Sequence, residues 1–242
     1  MEVIAPQWPA PHRIRALSTL RTGGVSVGVY ESLNLGDHVG DDPARVQENR
    51  SRLRAALALP AEPHWLTQVH GTHVADLDGP IVDTTADAAI TRRRGILCAI
   101  LTADCLPVLF TDTAGECVAA AHAGWRGLAG GVLEATVAAM QVEPSRLLAW
   151  LGPAIGPQRF EVGPEVREIF VRHDPAAAAG FTAATGTRHM ANLSMLARLR
   201  LAALGVGGIF SVDDCTHSQP QRFFSHRRDG RSGRQATLIW KI

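Results

Sequence analysis

Lysine is almost missing from this chain. Its 242 residues carry 24 lysine-plus-arginine side chains, and Lys241 is the single lysine among them. A Walker A lysine is thereby excluded, and a Schiff-base role is unreasonable for the next-to-last residue. The arginine excess reads equally well as a coding bias or as a functional preference. A formal net charge of +1 argues against nucleic-acid binding by bulk electrostatics. No apolar stretch approaches the roughly 20 residues that a membrane helix needs. No signal peptide is visible either, because Met1–Pro11 carries Glu2 and several prolines. The four cysteines, Cys98, Cys105, Cys117 and Cys215, form no CxxC pair and no disulfide framework. A reduced, cytoplasmic protein is the expectation. Neither GxGxxG nor GxxxxGK[ST] occurs, so neither nucleotide loop is expected. Repeats, linkers and low-complexity tracts are also lacking, and the Ala176–Ala179 run is short enough for a loop or helix turn.

What is present is apolar: 46% of the residues are hydrophobic, enough for a substantial core. Ile14–Leu20 reads as a strand. Asp42-Pro43 starts a helix, with a capping side chain and proline at its first position, running to about Leu59 with Val46, Leu53 and Leu57 inward. Trp65–Val69 and His73–Leu77 read as a hairpin around His70-Gly71. Ile96–Leu101, Val108–Thr111 and Cys117–Ala121 are continuous apolar runs, as expected of strands buried on both faces. Leu128–Met140, Pro164–His173 and Asn192–Leu204 read as helices. Leu147–Leu151, Ile209–Val212 and Ala236–Trp240 read as strands. The interleaving predicts a mixed α/β sheet in one domain, residues 1–242.

Cys105, in Thr102-Ala103-Asp104-Cys105-Leu106-Pro107, and His122, in Ala121-His122-Ala123-Gly124-Trp125-Arg126-Gly127, each stand where an apolar run meets a loop. His70 lies upstream in Thr67-Gln68-Val69-His70-Gly71. Two imidazoles and one thiolate suit a zinc ion with one coordination position open, the mark of a catalytic site. The same residues suit a cysteine nucleophile, Cys105, with His122 or His70 as its base. They also suit strand-end histidines and a buried cysteine with no such role. Sequence leaves these alternatives open. Cys215 is a weaker fourth ligand, one that would close the site, and His73 is left out. Asp104 is read as a partner for a ligand histidine or as a turn cap. Copper is the weaker metal: the ten histidines contain no His-x-His pair, and no methionine stands in a ligand-like context. The stretch Gln221–Gly230, rich in arginine and aromatics, reads as an anion or ring contact, or as a solvated turn.

These stretches, with Ser32–Gly36, His38–Pro43, Asn49-Arg50, Ala86-Asp87-Ala88, Leu151–Gly156 and Cys215–Trp240, run in order across nearly the whole chain. Together the chain resembles the bacterial laccase-domain, or polyphenol oxidase, family, now regarded as purine nucleoside phosphorylases. The resemblance implies a zinc site of His70, Cys105 and His122. It implies phosphorolysis of adenosine, inosine, guanosine and methylthioadenosine to base and sugar 1-phosphate, with deamination of adenosine to inosine. It implies a layered α/β/β/α fold similar to the cysteine-hydrolase domain of cytotoxic necrotizing factors. Against that activity, Asn34 and Gln68 are expected to hold sugar or base, and Arg50 and Arg228 anionic oxygens. Nucleoside and phosphate are the expected partners, with a monomer by default. Family members often carry tyrosine where this chain has His217 and His226. The other functions kept open are a cysteine hydrolase or amidase acting on peptidoglycan precursors, a zinc-stabilised binding module and a copper-dependent polyphenol oxidase.

Overall fold

Alternation within the apolar runs decides the architecture, because each central strand feeds a different core from each face. The computed structural model describes residues 1–80 and 83–242. In chain order the elements are β1 (Val3–Ile4), β2 (Ile14–Thr19), α1 (Pro43–Ala56), β3 (Val74–Asp76), β4 (Ala88–Thr91), β5 (Leu97–Thr102), β6 (Leu106–Asp112) and β7 (Val118–Ala123). There follow α2 (Trp125–Gly130), α3 (Val132–Met140), β8 (Leu147–Leu151), β9 (Glu161–Val162), α4 (Pro164–His173), β10 (Phe181–Ala183) and β11 (His189–Ala191). The chain closes with α5 (Leu193–Ala203), β12 (Gly208–Ser211), α6 (His226–Asp229) and β13 (Gln235–Lys241).

A four-stranded sheet has the order β1-β2-β13-β5, and a six-stranded sheet the order β12-β8-β6-β7-β4-β3. The first is antiparallel throughout. The second is mixed, with β12 parallel to β8 and β3 parallel to β4. Cys98, Ile100 and Ile239 of the smaller sheet meet Leu109, Val118, Ala120 and Trp150 of the larger in one core. Leu97, Ala99, Leu101 and Leu238 face the other way, with Leu53 of α1. Val108, Phe110, Ala119 and Ala121 face Leu133, Val137, Phe170 and Leu201 on the helices beyond. The layers are therefore helix, sheet, sheet, helices. A small sheet, β10-β11-β9, adds to the outer layer.

Local chemistry fixes the boundaries. Asp42 caps α1 by accepting from Ala44 N, and Pro43 supplies a preset φ. Val46 and Leu53 are buried, whereas Leu57 is the half-buried C-cap. The expected single helix over 128–140 is broken: Gly131, at φ 100°, ends α2 and starts α3. The run 176–179 lies in a 3-10 turn, Pro175–Gly180. The expected hairpin around His70 does not form. Residues 65–69 make only an isolated bridge, Thr67 to Thr85, and β3 pairs in parallel with β4 instead. The Gln68 carboxamide replaces the missing ladder by accepting from Leu101 N and donating to Leu101 O, both at 2.8 Å. Lys241 is buried, its ammonium satisfied by the carbonyls of Arg92 and Glu116. No helix among the described residues is long and apolar enough to cross a membrane.

Candidate metal centre

Strand register assembles the site. Ala88 pairs with Ala121 across β4 and β7, so Asp87, one residue earlier, falls beside His122. Leu106 pairs with Ala123 across β6 and β7, so Cys105 falls beside Gly124. His70 arrives on the loop that replaced the hairpin. His70, Cys105 and His122 each offer a donor atom, and the three lie within 4.8 Å of one another. Cys105 Sγ is 3.8 Å from His70 Nε2. The two rings meet edge to face with centroids 4.7 Å apart.

Asp87 holds this arrangement. Its carboxylate is fully buried and lies 2.8 Å from His122 Nδ1. It also accepts from the backbone N–H groups of Val69, His70 and Gly71, at 3.1, 2.9 and 2.7 Å. The contact at Nδ1 turns His122 Nε2 toward the other two donors. The three N–H bonds hold the His70 loop, where His70 has φ 61°. That conformation costs an ordinary residue on the order of 1–3 kcal/mol, and histidine tolerates it better than most. Sequence reading missed Asp87 as an orienting residue and proposed Asp104. The Asp104 carboxylate instead accepts from Thr216 Oγ1, Ser225 Oγ and Arg227 N, at 2.6, 3.0 and 2.7 Å. It ties the C-terminal segment to the site. The available signal for Asp87 was a carboxylate between two alanines at the edge of a short apolar run.

Glycine supplies the room. A methyl group at Gly124 would lie 2.9 Å from Cys105 Sγ, 3.1 Å from His70 Cδ2 and 3.5 Å from His122 Nε2. The space facing all three donor side chains is thus kept open by the one residue without a Cβ. Zinc bonds of roughly 2.0 Å to nitrogen and 2.3 Å to sulfur fit donors spaced this closely, and the two-nitrogen, one-sulfur set suits that ion. Cys215 is absent from the cluster and accepts from Gly156 N at 3.2 Å.

The electrostatics favour a thiolate. Burial raises the Cys105 thiol, but the His122 charge and hydrogen bonds from both histidines outweigh it and bring it down to about 6. Burial lowers His122, but the facing Cys105 thiolate and the Asp87 hydrogen bond raise it to about 9. Asp87 also feels burial, which raises it, yet hydrogen bonds from His122 and Gly71 hold it below the usual carboxylate value.

A cavity of about 170 Å³ opens on the cluster, walled in part by Trp125, Arg126, Ile155, Phe160, His226 and Arg227. None of the four expected substrate contacts lines it. Asn34 is fully buried; it donates to Gly36 O and Asp41 and accepts from Gly36 N and Arg234 N. Gln68 is spent on Leu101. Arg50 donates twice to Leu35 O and lies 4.5 Å over the Trp65 ring. Arg228 donates to the carbonyls of Thr216, His217 and Phe223. These polar residues brace the loops around the site, because each finds backbone groups that pairing between strands leaves unsatisfied. His226 does face the cavity. His217 does not line it, and its Nδ1 is buried without a partner among the described residues.

A thiolate-bearing His/Cys/His cluster on a layered α/β scaffold defines a candidate metalloenzyme. Residues 15–242 match the family described as multi-copper polyphenol oxidoreductase laccase, and the chain belongs to that family. It is 53% identical over 242 residues to purine nucleoside phosphorylase YfiH of Escherichia coli strain K12, covering 100% of this chain and 99% of that protein. It is 52% identical over 238 residues to a Pseudomonas aeruginosa protein also named purine nucleoside phosphorylase, covering 98% and 97%. The crystal structure of a Neisseria meningitidis protein superposes with a TM-score of 0.94 at 47% identity, covering 100% and 99%. That of YlmD from Geobacillus stearothermophilus gives 0.89 at 33% identity, covering 95% and 92%.

Two outcomes test this description. In metal-free protein, the ultraviolet thiolate signal lost in Cys105→Ala should develop as pH rises through about 6. A midpoint near the ordinary thiol value of about 8.5 would contradict the assignment. Asp87→Ala should weaken zinc binding about 10- to 100-fold in a chelator competition, whereas unchanged affinity would remove Asp87 from the support of the site.

Proposed function

We propose that this chain, as one catalytic unit over residues 1–242, is a purine nucleoside phosphorylase of broad specificity that also deaminates adenosine. The carrying observation is the His70–Cys105–His122 cluster, with its open face, in a chain over half identical to proteins bearing that name. Phosphorolysis forms a bond from a phosphate oxygen to the sugar carbon while the carbon–nitrogen bond to the base breaks. The base nitrogen keeps the electron pair and takes a proton. Deamination adds water at the purine carbon bearing the amino group and releases ammonia.

His70, Cys105 and His122 would hold zinc, which supplies Lewis-acid polarisation of an oxygen at its open position. Asp87 fixes the His122 tautomer. Gly124 keeps space for a reacting group, and Trp125 and Phe160 shield it from bulk water. The 170 Å³ cavity lies below the roughly 300–1,000 Å³ usual for small-molecule sites. A neighbouring cavity of about 470 Å³ shares Ile155 with it and is lined by Asn192, Arg198, Asp213 and Cys215, among others. We assign the bulk of the nucleoside to that larger space. Zinc is preferred to copper because none of the methionines lines the cluster cavity and the chain has no His-x-His pair.

A second reading draws on one specific observation. Asp87, His122 and Cys105 form a chain of contacts like a base-activated thiol nucleophile with its orienting carboxylate. That reading is a cysteine hydrolase or amidase, in keeping with the likeness to cytotoxic necrotizing factors expected from sequence, and peptidoglycan precursors are its candidate substrates. It requires activity in metal-free protein.

The deciding assay supplies inosine and adenosine with and without phosphate and separates the products. The proposal expects hypoxanthine and ribose 1-phosphate only when phosphate is present, and inosine from adenosine without it. Both should fall to background in Cys105→Ala and after metal removal. Full activity of chelated protein, abolished by a thiol alkylator, would favour the hydrolase instead.

A further inference from the structure

The geometry points to Arg126 and Arg227 as an anion-binding pair for inorganic phosphate at the mouth of the metal cluster. This inference rests on the phosphorylase reading above, and it replaces Arg50 and Arg228, whose guanidinium groups are engaged elsewhere. The cluster cavity contains two arginines, Arg126 and Arg227, and two histidines, His70 and His226. Asp104 and Cys105 are the negative groups on the same wall. The Asp104 oxygens are taken up by Thr216, Ser225 and the Arg227 N–H, and Cys105 faces the histidine pair. The Arg126 and Arg227 guanidinium edges are therefore the charged donors left free in this cavity.

The two guanidinium groups are held without being neutralised. Arg126 is exposed and lies 4.4 Å over the Trp125 ring. It makes no hydrogen bond or ion pair to the described residues. Arg227 lies 5.2 Å over the Phe160 ring and donates from Nη1 to Glu161 O at 2.8 Å. Its Nε and Nη2 make no hydrogen bond to the described residues, and it has no carboxylate partner among them. Stacking on an aromatic ring orients the planar fork while leaving its edge free to donate to an oxyanion. Arg92, Arg200 and Arg222, by contrast, each have a carboxylate partner. A cavity of about 170 Å³ is too small for a nucleoside but ample for a phosphate ion. Arginine forks match phosphate oxygens bidentately. The division of space follows: phosphate beside the cluster between Arg126 and Arg227, and nucleoside in the larger cavity across Ile155.

The test titrates inorganic phosphate into zinc-loaded wild type, Arg126→Gln and Arg227→Gln by calorimetry, and measures steady-state kinetics with inosine. Loss of one charged donor set should weaken phosphate binding about 10- to 100-fold. The KM for phosphate should rise in parallel, the KM for inosine should stay within about twofold, and kcat should recover at saturating phosphate. Arg126→Lys should fall between wild type and Arg126→Gln, because a point charge lacks the fork. Arg126→Gln carries the test even if Arg227→Gln folds poorly, since the Arg126 guanidinium bonds to nothing else described. A phosphate affinity unchanged in Arg126→Gln, or a wild-type holoenzyme that binds no phosphate, would overturn the inference. Inosine cleavage with an unaltered phosphate KM in the variants would overturn the anion pair and leave the phosphorylase reading standing. Arginine-dependent phosphate binding without cleavage of any nucleoside would do the reverse.

Discussion

One buried carboxylate organises this molecule's chemistry. Asp87 lies inside the protein with no exposed surface, a position that an ionised group holds only when its lone pairs are fully used. Here they are used by the His122 ring and by three successive backbone N–H groups, those of Val69, His70 and Gly71. The interaction joins segments distant in sequence: the loop carrying His70, the start of β4 and the end of β7. Both histidines of the cluster depend on it, one through its ring and the other through its backbone. Removing that carboxylate leaves the buried His122 ring without its partner, at a cost of about 1–3 kcal/mol, and frees the three backbone N–H groups that hold the His70 loop.

The sheets set the remaining geometry. In β6 and β7 every residue is buried, because one face packs on the smaller sheet and the other on the helices. A strand confined on both faces cannot slip by one residue without exchanging its two sets of side chains. The register that places Cys105 beside Gly124 and Asp87 beside His122 is thereby locked by packing remote from the His70–Cys105–His122 cluster. Asp104, at φ 89°, adds a second tether. Its carboxylate draws the segment from Thr216 to Arg227 over the cluster, completing the cavity wall with His226 and Arg227.

The legible parts of the sequence were those with a simple periodic or terminal signal. The continuous apolar runs Ile96–Leu101 and Cys117–Ala121 announced doubly buried strands, and Cys105 and His122 just beyond them announced a site. Asp42-Pro43 announced the start of α1. Other features depended on contacts that no local pattern encodes. The 65–77 segment alternates like a hairpin, yet the Gln68 side chain takes over the pairing and β3 goes to β4. Asp87 stands out in the sequence only within the family resemblance, since four residues of β4 are too few to show a period. Asn34, Arg50 and Arg228 looked like ligand contacts because they are polar residues within the stretches that carry the family resemblance. Their hydrogen bonds go to backbone carbonyls and neighbouring side chains, and only coordinates reveal that. The uncommitted arginines could be recognised only after the committed ones had been set aside.

We propose that His70, Cys105 and His122 form one zinc centre with an open position. The most direct test is the X-ray absorption spectrum of protein purified without added metal, read alongside its elemental content. Such a centre gives about one zinc per chain, with one sulfur, two imidazole nitrogens and one further light-atom ligand in its shell. Copper at the centre, a shell without sulfur, or an unchanged spectrum in Cys105→Ala would contradict it.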